Sequence, residues 1–320
     1  KYYDVRPNVF IDENSVLPIN DQFGFHPSIG PLKQLYDEGN IALVQGVGYP
    51  NSSRSHFRAL FDYQTCEPEK TVSEGWFGKV IKEIDPSQKN LLTGVNIGTV
   101  LPAAMVSHGA SVTSVGDLDT YGLMNNVTES TQKDKTLQVF KEMYASTVGT
   151  GPVEDYLRQT ADVAIYGADT LKSAKDSYKS DIEYSGSQIS KDLKDVAKIL
   201  TANLGTQIFY VSQGGYDTHS NEIRDHAKRL SELSDAVVDF QMDLKEHSLE
   251  DNVLMLVYTE FGRRVKDNGS GTDHGSGGGA FLIGSSVAGG LFSEYPSLEP
   301  KDWAGGEDLH HTIDFRSVYA

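Results

Sequence analysis

The chain has 320 residues, of which 38% are hydrophobic and 23% charged, and a formal net charge of −17 at pH 7. This acidity argues against a nucleic-acid partner, because phosphate contacts require Lys and Arg clusters and no basic run is present. No apolar run approaches the roughly 20 residues that a membrane-spanning helix needs, so we expect no transmembrane segment.

The first part of the chain predicts a short helix, a buried strand and a second helix. A Pro- and Gly-rich surface segment leads into the short helix, around residues 29–38. The run IALVQGVGYP (41–50) is apolar and bounded by Gly and Pro, which is typical of a strand buried in a parallel sheet. The next helix should begin near Ser53 to Ser55, and a further helix is expected at 75–84, before one or two short strands.

Helices and strands alternate through the rest of the chain. The stretch from about 130 to 204 is mostly helical by its apolar spacing, with solvated charges between the apolar positions. A strand at 206–212 precedes a long helix whose apolar stripe runs from Ile223 to Leu244. Further strands are expected at 253–259 and in GAFLIG. This alternation predicts an α/β fold with a mostly parallel sheet covered by helices on both faces.

Polar residues that could bind a metal follow several of the predicted strands, where ligands of open parallel sheets are bound. Asp217 and His219 follow the strand at 206–212. Residues two apart in an extended loop project to the same side, so this pair can bind one ion. The alternative is structural, with Asp217 or Ser220 capping the helix that starts near Asn221 and His219 merely exposed.

The loop GTDHGSGGG (271–279) carries an adjacent carboxylate and imidazole among five glycines. Asp273 and His274 would diverge in regular structure, but a turn bracketed by glycine lets them serve one ion or two neighbouring ions. The alternative is a polar surface loop. Cys66 is the sole cysteine, so any metal must use oxygen and imidazole. Two carboxylates and two imidazoles favour Zn²⁺, or Mn²⁺ if more oxygen joins, over Mg²⁺ and Ca²⁺.

The candidate catalytic residues are Ser55, with Ser53 as its alternate, Glu260 and Arg263. A serine hydroxyl at a helix N-terminus beside a metal can attack phosphorus or sulfur, while helix amides and metal stabilise the developing negative charge. The competing role for Ser55 is a helix N-cap. Glu260 and Arg263 would support the metal ligands or contact an anionic substrate. His56 is either a base, a ligand or, as we expect, a packed residue of the first helical turn.

Several sequence blocks, taken as a set, resemble one known family. They include GFHPSIGPL, YPNSSRSHFRALFDYQT, GWFGK, GGYDTHSN, TEFGRR, GTDHG and DFRSVYA, and they cover nearly the whole chain. The chain resembles the exported bacterial and archaeal family called domain of unknown function 1501, within the alkaline phosphatase and sulfatase-like superfamily. The resemblance implies one doubly wound, alkaline-phosphatase-like α/β domain over residues 1–320, with a helical insertion around 130–204.

The resemblance also has implications for the site and for localisation. Asp217 and His219 match one metal-binding set of the superfamily, Asp273 and His274 match the second, and Ser55 best fits the place of the nucleophile. The family implies an exported protein, periplasmic, extracellular or at the cell surface. The superfamily's first strand and the family's C-terminal end have no counterpart here, so we expect a partner chain or fragment to supply that strand.

Together these features predict a metal-dependent hydrolase-like protein that acts on a small anionic ester or a cell-surface substrate. A phosphate ester is the first choice of substrate and a sulfate ester the second. The expected cofactor is a divalent metal, Zn²⁺ first, with Mn²⁺, Mg²⁺ or Ca²⁺ as alternatives. The alternative function is a non-catalytic exported protein that keeps the fold for binding at the cell surface or in an assembly. A sugar- or peptide-processing enzyme is a third possibility, since an α/β scaffold alone does not fix the reaction type.

Overall fold

The computed structural model describes residues 1–121, 130–145 and 170–320, together with positions 151, 161 and 167. It shows a mixed α/β protein that includes a parallel sheet. The chain divides into two compact units: unit 1 comprises Lys1–Thr71, Ile182–Lys191 and Gln213–Ala320, and unit 2 comprises Val72–Asp181 and Asp192–Ser212. The single domain expected over residues 1–320 stays a prediction.

The helices begin close to the positions predicted from capping residues and apolar spacing. The helices expected at 29–38, from Ser53 to Ser55 and at 75–84 are confirmed. Across the described part of the chain, no helix has the length and apolar character needed to span a membrane. The helices are α1 (Tyr2–Val5), α2 (Gly30–Asp37), α3 (His56–Thr65), α4 (Trp76–Ile84), α5 (Ser130–Ala145), α6 (Gln188–Thr201), α7 (Glu222–Glu246) and α8 (Phe315–Tyr319).

The helical stretch expected around 130–204 is confirmed in part. Helices α5 and α6 and the helical residues 170–177 lie within it, whereas residues 178–187 are not helical. Much of the remainder of that prediction lies outside the described residues.

The strands also follow the apolar runs of the sequence, including those expected at 41–48, 206–212 and 253–259. Single 3₁₀ turns lie at Pro27–Ile29, Ala103–Met105, Glu250–Asn252 and Pro300–Asp302. The strands are β1 (Leu17–Pro18), β2 (Gly24–Phe25), β3 (Ile41–Gly48), β4 (Gly94–Ile97), β5 (Val112–Val115), β6 (Ile208–Val211), β7 (Met255–Val257), β8 (Gly278–Ile283), β9 (Gly290–Phe292) and β10 (Ile313–Asp314).

The main sheet of unit 1 has the order β10–β3–β8–β7, and β9 also pairs with β3. β3 runs parallel to β9 and β10, but β8 runs antiparallel to both β3 and β7. The prediction of a mostly parallel sheet is therefore wrong for this unit. Parallel neighbours need a long crossover, usually a helix, and residues 258–277 between β7 and β8 contain no helix, so the chain returns antiparallel.

The core of unit 1 forms around β3, β8, α3 and α8. Val44, Val47 and Ala280 of the sheet pack with Tyr63 and Phe315 of the two helices, all of them buried. The rings of Tyr63 and Phe315 stack with centroids 4.2 Å apart. This packing fixes α3 against the end of β3, and so positions the first turn of α3.

The long helix α7 buries only part of its predicted apolar stripe. Val237, Phe240 and Leu244 are buried, whereas Ile223 at its beginning is 55% exposed. The helix packs against α2, where the Leu32 amide donates to the Ser234 hydroxyl at 3.1 Å. The N-terminal end of α7 is therefore free to carry polar side chains.

Unit 2 contains a parallel sheet in the order β5–β4–β6, as the alternation of helices and strands predicts. Val95, Ile97 and Val115 are buried in it. α4 packs so closely on the neighbouring loop that a Cβ atom on Gly78 would lie 2.7 Å from the backbone of Val106, and glycine permits this approach.

Candidate metal centre

The loop from β3 to α3 is held by buried hydrogen bonds. Tyr49, which follows β3, donates its hydroxyl hydrogen to Oδ2 of the buried Asp62 at 2.7 Å, and its oxygen accepts from the Ser53 amide at 3.3 Å. Burial, together with the bond to Asp62, raises the pKa of Tyr49 above its usual range, so the phenol remains a donor. This network fixes the segment that delivers His56 to the start of α3.

Three imidazoles from separate segments converge on the carboxylate of Asp217. Nε2 of His274 and Nε2 of His219 lie 2.9 Å and 3.0 Å from its Oδ1, and these two nitrogens are 2.9 Å apart. Nε2 of His56 lies 3.2 Å from Oδ2 of the same carboxylate. Residues that are distant in the sequence thus present four ligand atoms to one point.

Each of these imidazoles is anchored through its other nitrogen, Nδ1, by an oxygen that only accepts hydrogen bonds. Nδ1 therefore carries the proton, and Nε2 of the neutral ring directs its lone pair towards Asp217. The anchoring contacts are His56 to Glu260 Oε1 at 2.6 Å, His219 to Asp273 Oδ1 at 2.9 Å, and His274 to the Arg54 carbonyl at 2.7 Å.

The nitrogen Nε2 of His56 is buried and has no hydrogen-bond partner in the described part of the chain, although it lies close to Asp217. Lone pairs of Nε2 atoms that face one another and a carboxylate repel, and a buried polar atom without a partner is destabilising. A cation between them would remove both penalties. The residues present therefore fit a bound divalent ion.

The distances also fit a metal. Ligand atoms of His56, Asp217 and His274 all lie within 4.8 Å of one another. Tetrahedral zinc with bonds of about 2.0 Å separates its ligand atoms by roughly 3.3 Å. The 2.9–3.0 Å triangle formed with His219 would need to open by only a few tenths of an ångström. Three imidazoles with one carboxylate suit Zn²⁺ or Mn²⁺ better than Mg²⁺ or Ca²⁺.

Arg263 fixes Asp217 in its charged form. Its Nη1 donates to Oδ1 of Asp217 at 2.8 Å, its Nε donates to the Thr272 hydroxyl at 3.1 Å, and its Nη2 donates to the Thr272 carbonyl. Partial burial raises the pKa of Asp217, but the hydrogen bond from Arg263 is the largest of the interactions that hold that pKa well below its usual range. Arg263 therefore supports a candidate ligand, one of the two roles predicted for it.

Asp273 lies behind His219, whereas we expected it to bind the ion directly. Its Oδ1 contacts Nδ1 of His219, on the opposite side of the ring from Asp217, and also accepts from Nδ2 of Asn268 at 3.2 Å. The hydrogen bond with His219, followed by that with Asn268, lowers the pKa of Asp273. Asn268 also donates to the His219 carbonyl at 3.1 Å. Asp273 and Asn268 together orient the His219 ring.

Glu222, at the start of α7, joins the two loops that carry Asp217 and His274. Its Oε2 accepts from the hydroxyls of Thr218 at 3.1 Å and Thr272 at 2.6 Å, and all three side chains are buried. The two loops also approach so closely that a Cβ atom on Gly271 would lie 2.1 Å from the Thr218 carbonyl oxygen. The glycine-rich sequence is therefore required for close backbone packing at this position.

Ser55 occupies the N-cap position of α3, but its exposed side chain makes no capping hydrogen bond. Its amide donates to the Ser53 hydroxyl at 3.1 Å. The adjacent His56 directs its two ring nitrogens at Glu260 and Asp217. That ring is thus not oriented to act as a base for Ser55.

Asp217, His219 and His274 lie beside one another, as their positions in the sequence predicted, and Glu260 lies beside these candidate ligands. His56 has the packing contact expected for it, since its ring lies 4.8 Å from that of Phe261, but the ring also reaches Asp217. The available signal was an imidazole in the first turn of a helix that follows a buried strand. No comparable sequence signal identified Glu222, Thr272 or Asn268.

The fold and site define a mixed α/β protein with a histidine-rich candidate metal centre. The sequence model of the family described as "Protein of unknown function (DUF1501)" matches residues 14–316, and the chain therefore belongs to this family. No curated protein and no solved structure matches the chain.

Proposed function

We propose that this protein is a metal-dependent hydrolase that acts on an anionic phosphate or sulfate ester. The observation that best supports this function is the convergence of three anchored imidazoles on Asp217. The ion would be held by Asp217, His56, His219 and His274. When bound, it would act as a Lewis acid that stabilises negative charge at the reacting centre.

The residues around the ion would orient the ligands and supply the nucleophile. Glu260 keeps the Nδ1 proton on His56, and Asp273 does the same for His219. Ser55, exposed at the N-terminus of α3, is the candidate nucleophile, and the helix dipole there favours anions. Its Oγ would bond to phosphorus or sulfur as the ester bond breaks, and its proton would end on the departing alcohol. Water would then hydrolyse the serine ester.

The finer proposal for the fold is a doubly wound, alkaline-phosphatase-like domain of the alkaline phosphatase and sulfatase-like superfamily. It is supported by the parallel sheet β5–β4–β6 and by the parallel pairing of β3 with β9 and β10. Site residues also follow β3 and β7, which belong to one sheet, as ligands do in open α/β sheets. Export, and a partner chain or fragment that supplies the superfamily's first strand, stay predictions.

The second candidate function is a non-catalytic exported protein that uses the metal for stability or binding. One observation favours it: both nitrogens of His56 face carboxylates, so Ser55 has no oriented base in its neighbouring histidine. In this case a metal would bind without any ester being hydrolysed.

Metal analysis combined with aryl phosphate and aryl sulfate hydrolysis tests these alternatives. We expect the wild-type protein to bind Zn²⁺ or Mn²⁺ and to hydrolyse an ester only with metal. His274→Ala should lose both properties, and Ser55→Ala should keep the metal but lose at least about 100-fold in rate. The control is His108→Ala, because His108 is exposed and lies outside the cluster.

Two results would reject the hydrolase. Wild-type turnover in both His274→Ala and Ser55→Ala would show that the activity belongs to another site or to a contaminant. Stoichiometric metal binding without turnover of any ester would favour the non-catalytic protein.

A further inference from the structure

Helix α3 carries an exposed apolar ridge, formed by Phe57 and Leu60, that begins beside the candidate metal centre. Phe57 is 91% exposed, the largest exposure among the large hydrophobic side chains of the described residues, and Leu60 is 36% exposed. Residues three apart lie on the same face of a helix, so these side chains are neighbours. The ridge thus offers apolar surface at the first turn of α3.

Single exposed hydrophobic residues are common on protein surfaces, so the position of Phe57 matters more than its exposure. Phe57 directly follows the candidate ligand His56 and comes two residues after the candidate nucleophile Ser55. By chain connectivity alone, the Cα atoms of Ser55 and Phe57 are at most about 7.6 Å apart. The ring is therefore within reach of a substituent on an ester bound at Ser55.

The charges around the site point to a substrate of low charge. Three carboxylates belong to or contact the cluster: Asp217, Asp273 and Glu260. Arg263, which pairs with Asp217, supplies one positive charge, so two negative charges remain in excess. One divalent ion would offset this excess. The other two arginines beside the cluster are also paired with acids: Arg54 with Asp308 and Glu307, and Arg264 with Glu307 and, at 3.9 Å, with Asp273. Asp308 and Glu307 balance these two arginines, so the excess is unchanged.

A phosphate monoester carries nearly two negative charges at neutral pH, and its recognition normally employs several cationic donors. Among the described residues at this site, Arg54, Arg263 and Arg264 already have carboxylate partners. An ester with one charge and an apolar substituent matches this site better, because it adds the least negative charge to an ion already offset by carboxylates, and the ridge contacts its substituent.

Building on the hydrolase proposed above, we infer that the substrate is a singly charged ester with an aryl or alkyl group, such as a phosphodiester. Phe57, assisted by Leu60, contacts that apolar group and determines specificity. Stacking or packing against an aromatic ring favours such a group over a methyl group, whereas the ridge offers nothing to a second charge.

Calorimetric titration of the metal-loaded protein at pH 8 with three probes tests this inference without requiring turnover. Diphenyl phosphate and dimethyl phosphate carry one charge each, and phenyl phosphate carries two. We expect diphenyl phosphate to bind about tenfold more tightly than dimethyl phosphate, from the added apolar contact, and more tightly than phenyl phosphate. Phe57→Ala should reduce the tenfold ratio to about twofold, and Phe57→Trp should retain it.

The matched control is Phe292→Ala, which removes another exposed phenylalanine of unit 1 and should leave the ratio unchanged. Tighter binding of phenyl phosphate, an unchanged ratio in Phe57→Ala, or no binding of any probe would overturn the inference. Phe57-dependent binding without hydrolysis of any ester would reject the hydrolase alone. If the wild-type protein hydrolyses phosphate monoesters and the Phe57→Ala variant does so at the same rate, only the inferred specificity is rejected.

Discussion

Within the described residues, two groups of Asp, Glu and His side chains are close enough to hold a metal ion, and the chain builds them differently. The group around Asp217 draws its ligand atoms from α3, from the segment before α7 and from the glycine-rich loop. The other group, Asp243, Glu246 and His247, comes from the last turn of α7 and the residue that follows it.

The contacts of the second group are those of a helix end. Asp243 is fully buried and accepts the Tyr184 hydroxyl hydrogen at 2.7 Å. Nδ1 of His247 lies 3.0 Å from the Asp243 carboxylate and 2.9 Å from its carbonyl, and His247 is the C-cap of α7. An imidazole at this position satisfies the last carbonyls of the helix and complements its dipole. We conclude that proximity alone does not distinguish a metal site from a helix cap. Anchored rings that come from separate segments favour a metal site over a helix cap.

Removing the central carboxylate should have the largest effect. Asp217→Asn should weaken zinc binding by at least about 100-fold, because it replaces the one charged ligand proposed for the ion by a neutral amide. Asp243→Asn should leave zinc affinity unchanged but lower the free energy of unfolding by about 1–3 kcal/mol, because a buried hydrogen-bonded group is altered. Competition with a chromophoric chelator and urea denaturation measure the two effects. Equal loss of zinc affinity in both variants would remove the distinction between the groups.

The anchoring carboxylates should have a smaller effect. Asp273→Asn and Glu260→Gln should each reduce zinc affinity by about 10- to 100-fold, because they orient His219 and His56 without binding the ion. Asp37→Asn, which changes an exposed carboxylate paired with Lys33, is the control. The same chelator competition applies. A loss in Asp273→Asn as large as in Asp217→Asn would instead indicate that Asp273 binds the ion directly, as the sequence suggested.

The buried link between the loops should have the smallest effect on the metal. Glu222→Gln should weaken zinc binding by less than about tenfold and lower the free energy of unfolding by about 1–3 kcal/mol. A double-mutant cycle with Thr272→Val should show coupling of about 0.5–3 kcal/mol, because Glu222 and Thr272 share a 2.6 Å hydrogen bond. Strictly additive effects would show that this bond does not connect the loops.

The sequence was informative where the interaction is local. Apolar runs and capping residues located α3, α7 and β3 closely, since helix and strand periods are properties of short segments. The spacing of Asp217 and His219 likewise predicted their shared direction. The direction of β8 was predicted wrongly, because it depends on the absence of a crossover helix in a loop whose path is set by tertiary packing.

The roles of His56 and Asp273 depend on long-range contacts that spacing does not encode. The ring of His56 is oriented by Glu260, which is 204 residues away in the sequence. The ring of His274 is likewise held by the Arg54 carbonyl, 220 residues away. Asp273 neighbours His274 in the chain, yet it contacts His219, because Asn268 and the glycines turn the loop. These long-range contacts, and not the sequence spacing, distinguish the candidate ligand His56 from the supporting residue Asp273.

A crystal structure of the zinc-loaded protein, with anomalous scattering at the zinc edge, tests the metal centre directly. We predict one strong peak within bonding distance of Asp217 Oδ1 and of Nε2 of His219 and His274, with His56 Nε2 turned towards it. Absence of zinc from this point, or a peak at Asp243 and His247 in its place, would contradict the account.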